Sequence, residues 1–236
     1  MAARTEMGRY LLDVELAFIT ESIAGLTKKP QIALDAGAGS GRVTGPLSKM
    51  AGRVIATETE PALVKRLTRV ANNVTPLLVS PESERLPLQD ATADVILAIQ
   101  AAYLTQTGWF HRECTRVLKP GGTLILTLQN RRSWKGLVSR RRPEQYQGEF
   151  GARYYERSLA DIDRDLEAAG LQLEQALGYN WLPFTRMSDS RLIKPLAKLE
   201  RLLPLRRLAA VSPWVLLSAR KPASPESGAG RVGPEA

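Results

Sequence analysis

Residues 34–41 read Leu-Asp-Ala-Gly-Ala-Gly-Ser-Gly, an acid (Asp35) followed by glycine at alternate positions 37, 39 and 41. A short apolar run over 31–35 enters this stretch and a helix predicted over 42–50 leaves it, so the glycines occupy a strand-to-helix turn. Glycine there permits a tight turn and lets a ligand lie against bare backbone. The dinucleotide fingerprint G-x-G-x-x-G would require glycine at position 42, where this chain has Arg42. An acid two residues before the first glycine can accept hydrogen bonds from an ammonium group and is badly placed beside a pyrophosphate. The turn therefore favours a zwitterionic, cationic ligand over a dinucleotide.

Working outward, further strands are predicted over 53–58, 75–79, 94–99 and 123–128, with helices over 8–26, 61–70 and 109–118. Pro61 suits the first turn of its helix, and Lys119-Pro-Gly-Gly122 is a strong breaker. Ser158-Leu-Ala-Asp161 is a capping box, with Gly170 at the C-terminal stop of its helix. Two closing strands follow over 171–177 and 214–219. Strand–helix alternation of this kind predicts an α/β fold, a doubly wound, mostly parallel seven-stranded sheet with helices on both faces. We expect one domain over 1–221 and a disordered Pro/Gly/Ser/Ala-rich tail over 222–236.

Glu58 ends the second strand, 17 residues beyond Gly41. In nucleotide-binding doubly wound sheets an acid at this place grips both ribose hydroxyls. Together with the glycine turn, this spacing carries a resemblance. Residues 31–128 resemble the class I S-adenosylmethionine (SAM) dependent methyltransferases. ALDAGAGSGRVTGPL (33–47) is similar to their first motif and RVIATETEPALV (53–64) to their second strand. SPESERLPLQDATADVIL (80–97), IQAAYL (99–104) and HRECTRVLKPGGTLIL (111–126) resemble their later segments in order and spacing. The resemblance implies SAM as cofactor and methyl transfer as activity. It implies Asp35 and Gly37 at the methionyl amino group, and Gly39 and Gly41 at the close backbone approach. Glu58 is implied at the ribose diol, Glu82 at the adenine amine, Ser83 offering its backbone N–H to the ring, and Gln100 on the methionyl side. Pro81 stands where the family has glycine, and Tyr103 where it has the first histidine of the turn after the fourth strand.

Methyl transfer from a sulfonium can rest on alignment alone, so no strong catalytic residue is required. Tyr103 is the candidate proton carrier, while His111, on the helix before Arg116, is expected to be structural. With Cys114 and His111 the only residues of their kinds, neither a metal cage nor a disulfide framework is expected. The first 18 residues carry Arg4, Glu6, Arg9, Asp13 and Glu15 and so lack a signal-peptide core, which leads to the expectation of a soluble, cytoplasmic protein.

The net charge of +9 is uneven: residues 1–130 carry 14 cations against 12 acids, and residues 131–236 carry 19 against 12. A substrate cap is expected over 131–157 and 178–212, with Arg131, Trp134, Tyr154, Trp181 and Tyr103 as candidate substrate residues. The run from Arg131 to Arg142 suggests an anionic acceptor: a small metabolite, a saccharide or a lipid-linked precursor. A nucleic-acid methyltransferase is the alternative, weakened by the absence of an appended RNA-binding module. A non-catalytic SAM-binding or partner-binding protein is the alternative of a different class. The basic amphipathic stretch 192–207 is expected to pack on the sheet with its cations in water, with contact to a membrane surface as the rival reading.

Overall fold

The structure is a computed structural model and describes residues 4–146, 150 and 153–223. The tail expectation therefore falls, beyond Ala223, outside the described residues.

Helix α1 (Glu6–Ala24) is capped by Thr5, whose Oγ1 accepts from the Gly8 N–H at 3.0 Å. Then follow β1 (Ile32–Ala36), α2 (Thr44–Met50), β2 (Arg53–Glu58), α3 (Pro61–Leu67), β3 (Val74–Leu78) and β4 (Ala93–Ala98). The short α4 (Ala102–Thr105) and α5 (Gly108–Val117) lead into β5 (Leu118–Gln129). The second half comprises α6 (Trp134–Arg141), α7 (Leu159–Ala168), β6 (Gln172–Tyr179), α8 (Ile193–Leu202) and β7 (Trp214–Arg220).

The seven strands form one sheet in the order β3-β2-β1-β4-β5-β7-β6. β1 to β5 pair in parallel, and β7 runs antiparallel between β5 and β6. The mixed sheet is the expected doubly wound α/β fold. Its central strands are apolar on both faces because helices cover both. Alternation along β4 sends Val95 and Leu97 into the core under α1, α2 and α3, and Ile96 and Ala98 into the core under α5 and α7. The strand order reverses between β1 and β4, which opens a crevice at the C-terminal ends of the strands.

Two local expectations change, and one segment left open is settled. The Lys119-Pro-Gly-Gly122 segment does not separate α5 from β5; it bulges within β5, so that Ala93 faces Leu118 and Val95 faces Thr123. The run after β5 is helical: Ser133 caps α6, its Oγ accepting from the Gly136 N–H at 3.0 Å. Helix α8 buries Ile193, Ala197 and Glu200 and leaves Leu199 and Leu202 exposed, so its apolar stripe is not fully turned to the sheet. No helix among the described residues is long and apolar enough to cross a membrane.

Candidate functional site

The glycine turn between β1 and α2 forms one wall of the crevice. Asp35, near the end of β1, is 2% exposed and accepts from Thr44 Oγ1 at 2.6 Å. Burial pushes its carboxyl up to about 6; the Thr44 hydroxyl and the Arg42 guanidinium oppose that shift without cancelling it. A buried acid held this way gains from a cationic partner.

The three glycines take positive φ of 72°, 56° and 81°, for different reasons. A Cβ at Gly37 would lie 2.8 Å from Tyr103 Oη. One at Gly39 would meet nothing within 4 Å, so this residue presents bare backbone to the crevice. One at Gly41 would lie 2.9 Å from Val70 Cγ2 and 3.1 Å from Leu67 Cδ2. Gly41 is therefore required by the packing of the turn on Leu67, in α3, and on Val70 just beyond it.

Glu58 ends β2 and is 5% exposed. Its Oε2 accepts from the Gly39 N–H at 2.7 Å and its Oε1 from the Thr59 N–H at 2.7 Å. Asp35, Gly37, Gly39, Glu58, Gln100 and Tyr103 line one crevice. Glu82 and Ser83 do not join it; they line a neighbouring hollow with Trp109 and Arg153, on the other side of Tyr103. The Ser83 N–H, expected to face a ligand ring, instead donates to the Ser80 carbonyl at 3.1 Å, because residues 80–83 close a turn. The rest of that loop is clamped to α5. Arg116 donates to the Leu88 and Leu86 carbonyls at 2.9 and 3.1 Å, and Glu113 accepts from the Leu86 N–H at 2.9 Å.

Gln100, at φ 59°, donates from Nε2 to Glu15 Oε1 at 2.6 Å. Glu15 is fully buried in α1, pairs with Arg42 at 2.5 Å and accepts from Tyr179 Oη at 3.1 Å. Sequence reasoning missed Glu15. The available signal was a carboxylate on the same helical face as Leu11, Val14 and Phe18.

A second hollow of about 250 Å3 opens beside the first, lined by Gln100, Tyr103, Gln129, Tyr154, Arg186 and Trp214. Arg186 lines both spaces and was also missed. Of the expected substrate residues, Tyr103 and Tyr154 are here. Arg131 instead pairs with Asp161 at 3.1 Å, and Trp134 lies on α6 with the Lys135 ammonium 5.4 Å from its ring. Trp181 is not among the residues lining either space. Arg140, Arg141 and Arg142 are exposed at the end of α6, outside the crevice lining. His111 is fully buried and its pKa is lowered, chiefly by burial, in keeping with a structural place.

Residues 34–126 match the family described as "Methyltransferase domain". A protein of Mycolicibacterium smegmatis named "Probable S-adenosylmethionine-dependent methyltransferase" is 31% identical over 147 residues, 61% of this chain and 53% of that protein. The chain thus spans about half the length of the curated relative it matches. The fold is similar to that of geranyl diphosphate C-methyltransferase from Streptomyces coelicolor, solved with Mg2+, geranyl diphosphate and S-adenosyl-L-homocysteine (SAH). The TM-score is 0.61 at 16% identity, over 89% of this chain and 79% of that one. It is equally similar to the [4+2]-cyclase SpnF, with a TM-score of 0.62 at 18% identity over 90% and 81% of the two chains. The fold alone therefore does not specify a reaction.

Proposed function

We propose, on the premise that residues 34–126 belong to the class I SAM-dependent methyltransferases, that this chain transfers a methyl group from SAM to a small anionic acceptor. The acceptor class is a metabolite, a saccharide or a lipid-linked precursor. The observation that carries the reading is the Asp35–Gly39–Glu58 wall. A buried carboxyl raised to about 6 stands near an open glycine backbone and a second buried acid. An α-ammonium and a ribose diol are the groups such a wall suits.

SAM supplies an electrophilic methyl group on a sulfonium, with a neutral thioether as leaving group. The remaining work falls to the chain. Asp35 takes the ammonium, which offsets the cost of its own burial. Glu58 accepts from the ribose hydroxyls, exchanging them for its present bond from the Gly39 N–H. Gln100 and Tyr103 stand between this wall and the second hollow, where they orient the acceptor. Fixing two reactants in line is worth roughly 7–11 kcal/mol in favourable systems. That accounts for catalysis without a dedicated base. Tyr103 is in place to exchange a proton where an acceptor must lose one.

Incubating the protein with methyl-labelled SAM and fractionated cell extract tests this reading. Label should enter the small-molecule, glycan or lipid pool. Label in RNA would favour the nucleic-acid alternative, and bound SAM without transfer the non-catalytic one.

A further inference from the structure

The second hollow has a polarity that specifies more than its size. Gln129, the last residue of β5, is 3% exposed, and its Oε1 has no hydrogen-bond partner among the described residues. A buried amide oxygen without a donor is costly, and Gln129 is among the residues that line the hollow. Two donors beside it are committed elsewhere. Trp214 Nε1 donates to Tyr155 Oη at 2.9 Å, and the neighbouring Asn130 amide donates to the Ala210 carbonyl at 2.9 Å.

The other pole is Arg186. No ion pair joins it to an acid among the described residues, and Arg42, the cation nearest in effect, is already paired with Glu15. Arg186 is solvent-exposed; its pKa is lowered by partial desolvation and by Arg42, and an incoming anion offsets the repulsion from Arg42. The loop carrying it is fastened to the start of α1: Thr5 Oγ1 donates to the Arg186 carbonyl at 2.6 Å, and the Met7 N–H to the Ser188 carbonyl at 3.1 Å. Tyr103, Tyr154 and Trp214 supply aromatic walls between the poles, and among the described residues the lining includes no carboxylate.

We infer that this hollow receives a small, flat acceptor whose carboxylate or phosphate meets Arg186 and whose hydroxyl or amine donates to Gln129 Oε1. This rests on the methyltransferase reading and adds the acceptor's chemistry to it. It also moves the anion site from the α6 arginines to Arg186.

The test uses the full chain at saturating SAH, with occupancy verified by calorimetry. The probes are 4-aminobenzoate, 4-hydroxybenzoate and benzoate, each matched with its carboxamide, and binding is read by saturation-transfer NMR. The acids should bind at least ~10-fold more tightly than the amides, as expected for a charge-assisted contact of about 1.5 kcal/mol. Arg186→Gln should bring acids and amides to parity, and Arg186→Lys should restore part of the preference. Gln129→Leu should remove the advantage of the amino and hydroxy compounds over benzoate. Failure of the acids to bind, or an acid preference that survives Arg186→Gln, would overturn the inference. If the wild type does not bind SAH at all, it is the methyltransferase reading that fails. SAH binding without acid preference removes the acceptor assignment alone.

Discussion

Asp35 and the glycines that follow it give the sharpest expectations at the scale of single residues. Asp35 titrates near 6 in the folded chain and near 3.8 when unfolded, so the folded state holds the extra proton between those values. The penalty of its charge is absent below about pH 4, grows as pH rises, and is complete above about 6. It amounts to about 3 kcal/mol. Asp35→Asn should therefore raise the melting temperature of the ligand-free protein at pH 8 relative to wild type, with the difference vanishing near pH 4. The same variant should bind SAM weakly, and wild-type affinity should fall as pH drops through 6. Scanning calorimetry and SAM titration across this range check both. Equal affinity of Asp35→Asn and wild type at pH 8 would remove the ammonium from Asp35. The glycines divide differently. Gly41→Ala drives a methyl group against Val70 at a φ of 81° and should cost about 1–3 kcal/mol of stability. Gly39→Val meets no neighbour but is strained at a φ of 56°, so it should cost about 1–3 kcal/mol of stability and leave a folded chain that no longer binds SAM. If folded Gly39→Val binds SAM as the wild type does, the crevice has been assigned to the wrong ligand.

Elements were legible in the sequence where hydrophobic period and turn chemistry agreed. β2 was read over 53–58 and is Arg53–Glu58, and the Ser158–Asp161 capping box opens α7. Legibility failed where tertiary contacts decide. A Pro-Gly-Gly run reads as a break, yet the pairing of Leu118 with Ala93 carries β5 across it as a bulge. The basic run after β5 reads only as a charged stretch of the substrate cap. Ser133 starts a helix there, and Lys135 is drawn inward to Asn180 Oδ1 at 2.9 Å. Asp35 and Glu58 could be found because they sit at fixed offsets from the glycine turn. Glu15, Gln129 and Arg186 come from distant segments whose meeting no local pattern announces. The Arg116 clamp couples two such segments, fastening the 86–90 stretch to α5 through the Leu86 and Leu88 carbonyls. Arg116→Ala should cost about 1.5–3 kcal/mol, typical of hydrogen bonds to a charged group. It should also speed hydrogen exchange at the Leu86 amide, which bonds to Glu113, and exchange unchanged there would mean the loop is held by other contacts.

Across the whole molecule, α1 acts as the fourth side of the site. Glu15 joins it to the α2 entrance through Arg42, to the end of β4 through Gln100, and to the end of β6 through Tyr179. Removing that carboxylate leaves a half-buried guanidinium and a buried phenol without their partner. Glu15→Ala should therefore destabilise the fold by about 3–5 kcal/mol, the usual cost of breaking a buried pair. A loss below about 1 kcal/mol in denaturant unfolding would show that α1 is held by its apolar face alone. The central claim is that the crevice over Asp35, Gly39 and Glu58 holds SAM. Calorimetric titration with SAH and, separately, with NAD, on wild type and on Glu58→Ala, tests it most directly. One SAH should bind per chain with no heat from NAD, and Glu58→Ala should weaken SAH binding by about 1.5–3 kcal/mol. Absence of SAH binding, or equal affinity of wild type and Glu58→Ala, would contradict it.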